Sequence, residues 1–406
     1  MNLWQLAWRY LWAQPLTAAL NVLLLSLGLA AISLTLLASE QIEAGMRRDL
    51  AGIDLVVGAK GSPMQIMLAG VFHLDLPTGN IPLSTLDTLR AHPLVARAIP
   101  ISLGDSLRGF RIVGTSPDFA DLYQARLERG RYWRRPLQAV LGAEVARATG
   151  LQPGQQFAGS HGLGEQGDLH DGEPYTVVGL LAPSGSVLDR LVLTDSASVW
   201  ALHDAHHDAQ AAADAPATAE TAPAREITMV LVSYRSPLAA VVLPRWVNAQ
   251  SGLQAAAPAL ETARLLLMVG AGIEVLRGFG LLLLLAAGLS VFVALLHAVR
   301  ARQSDLAMLR MLGASPLRVA SLIGLEALSL AGLSCLLGAL LGHGLTALLG
   351  LVLASQHSLL ITGLWWSPWE PVIALLAVVL ALLAAAWPAW ATFRLDVTEL
   401  LQAPRH

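Results

Sequence analysis

A cluster of histidines and aspartates is the part of the sequence whose residue types most resemble a metal site. The six residues 203–208 contain three histidines, His203, His206 and His207, and two aspartates. Imidazole and carboxylate groups are ligands for zinc and similar metals. The surrounding segment, 201–223, is rich in Ala and Asp and almost free of large apolar residues. That composition favours a mobile surface loop with no preorganised ligand geometry. We therefore predict no metal site, and these three histidines are the residues that a metal would use.

A second candidate is Glu326, a carboxylate inside an apolar run. The nearest cation at helical spacing, Arg318, is two turns away, which leaves the acid without a neutralising partner. An acid within a bilayer is costly and marks a functional site by default. It could serve a proton relay, a hydrogen bond between helices or a contact with another subunit. The last three spans contain no second intramembrane carboxylate, so the proton relay is the least favoured.

Motifs for catalysis or phosphate binding are missing from the sequence. The only lysine, Lys60, lacks the leading glycine and the following helix of a phosphate-binding loop. There is no G-x-S-x-G or H-E-x-x-H motif and no pair of cysteines. We therefore expect a chain that is not an enzyme and holds no cofactor. A net charge of -3 with one lysine also argues against nucleic acid as a partner.

The composition indicates a membrane protein. Hydrophobic residues make up 55% of the chain and charged residues 14%, with a mean hydropathy of +0.57. About 30 Å of hydrocarbon takes roughly 20 apolar residues. The runs that meet this length lie at 15–39, 262–297 (with a stalk before the span), 316–353 and 371–393. Within the stalk, Glu274 and Arg277 have the i, i+3 spacing at which helical side chains pair.

Arginine positions predict the orientation of these spans. Arginines precede the first span, lie between the second and third, and follow the fourth, whereas the loop 354–370 has no Lys or Arg. Because positive charge favours the cytoplasmic side, we place both termini, including the tail 394–406, and the segment 298–315 in the cytoplasm. Residues 40–261 are then periplasmic, and the chain is an inner-membrane, multi-pass protein.

The fold class predicted is an α-helical membrane protein with four transmembrane helices and a large extracytoplasmic mixed α/β domain inserted between the first and second. Valine-rich runs at 54–58, 111–114 and 175–181 suit strands, and 84–90 suits a helix. Before the first span, residues 1–14 form an amphipathic interfacial helix. It would place Trp4, Trp8, Leu11 and Trp12 on one face, against membrane lipid.

The segment 298–315 predicts a short helix that joins two spans. Ser304 can cap its start, and Leu306, Leu309 and Leu312 lie along one side. Gly313 suits its end, and Ser315 with Pro316 suits the start of the next helix. Such a helix has an apolar side with which to dock on another molecule.

This segment resembles the FtsX-like permease family of ABC transporters, which includes MacB-type and LolC/LolE-like permeases. The family pattern is approximately R-x-x-E-x-a-x-L-R-x-x-G-A-S, followed by a glutamate in the next span. Asp305 stands where the family usually has glutamate. The residues that match are Arg302, Leu309, Arg310, Gly313, Ala314, Ser315 and Glu326. The runs 129–133, 139–146, 150–154 and 175–179 also resemble the external domain of MacB-type permeases.

The resemblance implies a permease subunit of a type VII-like ABC transporter. Residues 302, 305, 306, 309, 310 and 313–315 would form the ATPase-coupling site. The chain begins almost at its first span, so we expect a separate ATPase that binds ATP and Mg²⁺. ATP hydrolysis would change the shape of the periplasmic domain, a mechanism called mechanotransmission, for export or extraction of a substrate.

The resemblance also implies partners. A second permease copy is expected, and a homodimer is favoured over a LolC/LolE-like heterodimer. A periplasmic adaptor or binding protein is a further expected partner. The alternative function is that of an FtsX-like membrane regulator of periplasmic cell-wall enzymes. The class of substrate is not readable from the sequence.

Overall fold

Long apolar helices account for most of the helical residues. The computed structural model describes residues 2–50, 52–161, 174–201, 225–355 and 361–394. The helices with both ends in the described residues include α1 (Leu3–Leu11), α2 (Pro15–Asp49), α3 (Pro63–Gly70), α4 (Ser84–Ala91), α5 (Asp118–Leu122), α6 (Ala143–Thr149), α7 (Ala239–Asn248), α8 (Pro258–Ala301), α9 (Gln303–Met311), α10 (Pro316–Ser355) and α11 (Glu370–Ala391). Among the described residues, α2, α8, α10 and α11 are long and apolar enough to cross a membrane. The predicted fold class is confirmed, with a mixed α/β domain between the first two of these helices.

The chain divides into two units, which we call the helical unit and the sheet unit. The helical unit comprises Met1–Ile42, Met268–Ser355 and Leu359–His406, and the sheet unit comprises Glu43–Leu267 with Gln356–Ser358. Helix α2 begins at Pro15, the first residue of the predicted span, and continues beyond Ser39 as one helix. The segment 201–223 lies outside the described residues, except for its first residue.

The helical unit is held together by two buried apolar clusters. One joins α1, α8, α9, α10 and α11 and includes Leu11, Leu295, Leu306 and Ile323. The other joins α2, α8 and α11 through Leu25, Leu284 and Ala377, among others. Lipid is as apolar as leucine, so helix association in a membrane depends on close packing and on polar contacts.

A row of small residues lets α10 approach α2 closely. Ser334, Gly338, Gly342 and Thr346 recur at every fourth position, on one face of α10. A Cβ added to Gly338 would lie 2.7 Å from Leu29 Cβ, and one added to Gly342 would lie 2.7 Å from Ser33 Cβ. The Ser334 hydroxyl donates to the Val22 carbonyl at 3.4 Å. Larger residues in this row would separate the two helices.

Helix α1 turns one face to the helical core and leaves its tryptophans outside. Ala7 and Leu11 are buried against α10, whereas Trp4, Trp8 and Trp12 are exposed. The prediction that Leu11 shares the tryptophan face is therefore wrong. Its i, i+4 spacing from Ala7 places both residues on the core side instead. The chain turns after Leu11, and Pro15 starts α2.

The sheet unit is built on a mixed sheet of eleven strands. The strands of this unit are β1 (Leu55–Ala59), β2 (Ile81–Pro82), β3 (Val95–Leu107), β4 (Phe110–Thr115), β5 (Leu127–Gly130), β6 (Gln138–Leu141), β7 (Gln156–Phe157), β8 (Ser160–His161), β9 (Tyr175–Leu181), β10 (Val192–Asp195), β11 (Glu226–Ile227), β12 (Met229–Tyr234) and β13 (Leu253–Ala256). The order is β13-β1-β12-β3-β4-β10-β6-β9-β5, with β7 beside β9 and β8 beside β3, while β2 and β11 form a separate pair. The β4–β10 and β6–β9 pairs are parallel, and the remaining pairs are antiparallel.

Apolar residues of the central strands form the core of the sheet unit. Leu55, Val230 and Val232 are fully buried against α4 and α7, and α7 presents a face of buried residues at i, i+4 spacing. A second cluster surrounds Ile112 and Val192 at the other end of the sheet. The strands predicted at 54–58, 111–114 and 175–181, and the helix predicted at 84–90, are confirmed as β1, β4, β9 and α4.

Candidate functional site

The short helix α9 starts at a one-residue joint. Helix α8 ends at Ala301 and α9 begins at Gln303, so Arg302 alone changes the direction of the chain, with φ -111° and ψ 19°. The Arg302 carbonyl accepts the Leu306 N–H at 3.0 Å, the first backbone bond of α9. The prediction that Ser304 caps this helix is therefore wrong, because the helix begins before Ser304, which lies exposed in the first turn.

The end of α9 is a Schellman turn, closed by two backbone hydrogen bonds. The Ala314 N–H donates to the Leu309 carbonyl at 3.0 Å, and the Gly313 N–H donates to the Arg310 carbonyl at 3.1 Å. Gly313 has φ +93°, a conformation that side chains rarely adopt. Ser315 then caps α10, since its carbonyl accepts the Arg318 N–H at 2.9 Å and Pro316 is the first helical residue.

The two sides of α9 have different environments. Leu306 and Ala307 are buried, and Leu309 packs at the edge of the helical core. Met308 and Met311 are each 53% exposed and Leu312 is 79% exposed. The prediction that Leu312 lies beside Leu306 and Leu309 is wrong, because the helix ends at Met311 and the turn directs Leu312 outward. Met308, Met311 and Leu312 thus form an apolar surface, which we call the α9 surface and which suits binding.

The remaining predicted coupling residues surround the α9 surface. Asp305 is exposed and Arg310 is half-buried. Gly313 and Ser315 are exposed in the turn, and Ala314 is half-buried against the core. All of the predicted coupling residues lie between 302 and 315 in the sequence, and their role in ATPase coupling stays a prediction. The two methionines were not predicted, although exposed methionine is frequent at adaptable binding surfaces.

Glu326 has a cationic partner that sequence spacing did not reveal. Arg302 Nη1 lies 3.3 Å from Glu326 Oε1, and both side chains are largely buried, at 14% and 7% exposure. The expectation of an unneutralised acid is therefore wrong. The sequence spacing could reveal only cations on the same helix as Glu326. Arg302 instead lies just before α9, and its side chain contacts Glu326 on the neighbouring helix α10. We call Arg302, Glu326 and Tyr10 the arginine cluster.

Tyr10 completes the arginine cluster from α1. Its carbonyl accepts a hydrogen bond from Arg302 Nη2 at 2.6 Å. The Arg302 Cζ atom lies 4.4 Å from the centre of the Tyr10 ring, within the range of a cation–π interaction. Burial raises the pKa of the Tyr10 phenol, the Asp305 and Glu326 carboxylates raise it further, and Arg302 opposes them. Three helices therefore meet at one guanidinium.

The predicted stalk pair is formed on the surface of α8. Arg277 Nη1 lies 2.6 Å from Glu274 Oε1, and both side chains are substantially exposed. An exposed pair of this kind contributes little to stability in water, about 0.3–0.5 kcal/mol at this spacing.

The candidate metal ligands His203, His206 and His207 lie outside the described residues. Within the described ranges, no group of three or more His, Cys, Asp or Glu side chains is placed to hold a metal ion.

A hydrogen-bonded loop before α11 was not predicted. The Gln41 side chain accepts the Thr362 N–H at 2.8 Å and donates to the Thr362 carbonyl at 3.0 Å. The Glu40 carboxylate accepts bonds from Ser367 and from the Trp365 indole. The signal in the sequence is slight: Glu40 and Gln41 are adjacent polar residues after an apolar run. These contacts fasten the loop to α2.

The sheet unit contains a buried histidine, His73, in an unusual backbone conformation. Its φ is 55°, and its ring packs edge-to-face on Phe119 with centroids 6.4 Å apart. Neither ring nitrogen has a hydrogen-bond partner among the described residues. Burial lowers the pKa of His73 to about 3, and the nearby Arg111 and Arg190 guanidiniums lower it as well.

Comparison with known proteins gives two family matches that together cover most of the chain. Residues 18–238 match the MacB-like periplasmic core domain, and residues 277–397 match the FtsX-like permease C-terminal family. Comparison with curated proteins finds no match.

Two solved structures are similar to this chain over about half of its length. One is the periplasmic region of MacB from Actinobacillus actinomycetemcomitans, at 12% identity and a TM-score of 0.35, covering 53% of this chain and 95% of that one. The other is the extracellular domain of the noncanonic ABC-type transporter YknZ from Gram-positive bacteria, at 12% identity and a TM-score of 0.31, covering 50% and 98%. The assignment rests on the family matches, the first of which spans more than half of the sequence. The chain belongs to the FtsX- and MacB-like family of ABC transporter permeases.

Proposed function

We propose that this chain is the transmembrane subunit of a type VII-like ABC transporter whose ATPase is a separate cytoplasmic protein. The ATPase docks on α9, and its hydrolysis cycle changes the conformation of the sheet unit in the periplasm. The work done is export or extraction of a periplasmic substrate. The arginine distribution supports an inner-membrane location with both termini in the cytoplasm.

The observation that carries this proposal is the α9 surface. Met308 and Met311 are exposed on α9 and Leu312 is exposed just after it, where the Gly313 turn holds the carboxyl end of the helix. Exposed apolar side chains on a short, firmly held helix suit a partner with a complementary pocket. The helix lies within the FtsX-like permease match, at 277–397.

The transporter needs other subunits and a cofactor that this chain does not bind. ATP and Mg²⁺ bind to the ATPase subunit, because this sequence has no phosphate-binding loop. A second permease copy completes the complex, and a homodimer is the simplest arrangement. A periplasmic adaptor or binding protein, and membrane lipid along α1, are further partners.

The test is a double substitution on the α9 surface, Met308→Asp with Met311→Asp, in the full chain in lipid nanodiscs. Two carboxylates in an apolar contact lose their hydration without compensation. We expect the amount of co-purified ABC ATPase, and its Mg·ATP hydrolysis, to fall at least about tenfold, which corresponds to about 1.4 kcal/mol of binding free energy.

The matched control is Ser304→Asp, which adds negative charge to the first turn of the same helix, where a carboxylate is favourable. It should bind the ATPase as the unsubstituted chain does. The proposal fails if the double variant binds and stimulates the ATPase normally, or if the unsubstituted chain purifies with no ABC ATPase.

A further inference from the structure

Arg302 occupies a position where one side chain touches three helices. Its backbone is the joint between α8 and α9, its Nη2 donates to the Tyr10 carbonyl at 2.6 Å, and its Nη1 lies 3.3 Å from Glu326 Oε1. These contacts use separate nitrogens of the planar guanidinium. An arginine can therefore hold α1 and α10 at once, which the single ammonium of a lysine does less well.

The contact with α1 uses the carboxyl end of that helix. Tyr10 is in the last turn of α1, where backbone carbonyls lack partners within the helix and the helix dipole is negative. The Tyr10 carbonyl also accepts the Ala13 N–H at 3.2 Å, so the guanidinium adds a second hydrogen bond to it and complements the dipole. The cation–π contact with the Tyr10 ring, 4.4 Å away, adds to the same attachment. Arg302 is thus a cap supplied to α1 from a distant part of the sequence.

The contact with α10 is shielded from solvent. Glu326 is buried beside a small cavity of about 10 Å³, which is lined by Tyr10, Arg302 and Glu326 together with apolar side chains of α8, α9 and α10. Removing either partner of a buried ion pair leaves an uncompensated charge. The pair therefore opposes separation of the start of α9 from α10.

Apolar packing around the arginine cluster encloses the same three helices. Leu11 of α1, Leu306 of α9 and Ile323 of α10 belong to one buried cluster. On the opposite side of α1, Trp4 and Trp8 are exposed. Helix α1 therefore packs against α9 and α10 by one face only.

We propose that Arg302 is a positioning residue that locks α1, α9 and α10 into one body, so that α1 moves together with α9 when the ATPase acts. The proposal rests on the proposed function for the identity of the ATPase, but the lock itself is independent of it. If α1 moves with α9, the movement that the ATPase causes at α9 is passed to the membrane helices through α1 as well as through α10.

The first experiment tests whether α1 and α9 are held together. It measures the distribution of distances between two spin labels, one on each helix, in the full chain in nanodiscs. Labels are attached at Gln5→Cys on α1 and Ser304→Cys on α9, both exposed positions, in a Cys335→Ser background. We expect one narrow distance distribution, at least doubled in width by Arg302→Met. Glu326→Gln, which keeps the side-chain shape, should widen it less. This second variant keeps the test valid if Arg302→Met fails to fold.

Arg318→Met is the control for this measurement, because it removes an exposed arginine from the first turn of α10. Its distance distribution should equal that of the unsubstituted chain. An unchanged distribution in both Arg302→Met and Glu326→Gln overturns the lock. This result does not depend on whether an ATPase binds.

The second experiment separates positioning from docking. Arg302→Met keeps all three side chains of the α9 surface, so it should reduce co-purification of the ATPase far less than Met308→Asp with Met311→Asp does. The kcat for hydrolysis by the bound ATPase should fall about fivefold or more, and Arg302→Lys should restore part of it. A loss of ATPase binding in Arg302→Met as large as that of the double variant, or a normal kcat, overturns the positioning role. Absence of any ATPase with the unsubstituted chain instead overturns the proposed function.

Discussion

His73 shows how a single residue can make the stability of the sheet unit depend on pH. Its ring is buried without hydrogen-bond partners among the described residues, beside two arginines. The charged imidazolium is therefore disfavoured in the folded state. As the pH falls, the histidine of the unfolded chain binds a proton before the buried histidine of the folded chain does. Acid therefore shifts the folding equilibrium toward the unfolded state.

We predict that the protein loses stability as the pH falls below about 6.5, the ordinary pKa of histidine. The folded-state pKa of about 3 is lower than this value, so the unfolded chain binds the proton first. At pH 5 the His73 contribution to the loss is about 2 kcal/mol. Thermal unfolding of the full chain in detergent at pH 7 and pH 5 measures it.

His73→Asn is the matched variant, because asparagine does not titrate and tolerates a positive φ. Its melting temperature should fall less between pH 7 and pH 5 than that of the unsubstituted chain. Other groups titrate equally in both proteins, so the difference isolates His73. Equal falls would show that His73 is not the sensitive group.

For single residues, the sequence predicted the local backbone conformation better than the contacts between side chains. Gly313 was predicted to end α9, and its φ of +93° agrees, because the requirement is local to the backbone. The partner of Glu326 was missed because Arg302 meets it from another helix. Leu312 was assigned to the wrong side because a helical wheel assumes that the helix continues past Met311.

Among the elements, the loop before α11 depends on α2 for its conformation. Gln41 exchanges two hydrogen bonds with the backbone of Thr362, and Glu40 accepts bonds from side chains of the same loop. A loop fastened to a helix in this way follows that helix when it moves. Its backbone amides should therefore be protected from solvent exchange.

We predict that Gln41→Leu increases hydrogen exchange at the Thr362 amide about tenfold, since losing a hydrogen bond costs about 1 kcal/mol or slightly more. Exchange measured by mass spectrometry on the full chain in nanodiscs provides the test. Gln41→Glu keeps the acceptor for the Thr362 N–H and should give a smaller increase. The same exchange rate in all three proteins would contradict the role of Gln41.

Elements were predictable where their pattern is local. The Val-rich strands β1, β4 and β9 and the helix α4 were found from composition and flanking residues. The order of strands in the sheet was not predictable, because pairs such as β4–β10 join residues far apart in sequence. The face of α1 was only partly predicted, because both tryptophan and leucine read as apolar whereas only Leu11 is buried.

For the whole molecule, orientation in the membrane is the prediction that most needs a direct test. In a Cys335→Ser background, Lys60→Cys lies in the sheet unit and Ser304→Cys on α9, both at exposed positions. A membrane-impermeant maleimide added to spheroplasts should label Lys60→Cys at once. Ser304→Cys should be labelled only after the membrane is permeabilised. Labelling in the opposite order would invert the topology.

Apolar run length was sufficient to predict four spans and the domain between the first two, because this signal arises from the bilayer itself. The substrate was not predictable, since a fold of this kind can serve several cargoes. The proximity of His73, Arg111 and Arg190 in the sheet unit was not predictable either. These residues are far apart in the sequence and belong to no motif.

The length of α8 has a mechanical consequence. Its 44 residues extend about 66 Å at the usual helical rise, about twice the thickness of the hydrocarbon core. After Pro258 it contains no proline at which to bend. Within the helical unit, the part of α8 from Met268 to Ala301 extends about 50 Å, so a tilt of about 5° about Ala301 would carry Met268 about 4 Å. A small rotation beside α9 thus becomes a displacement larger than an atom at the far end of this part of the helix.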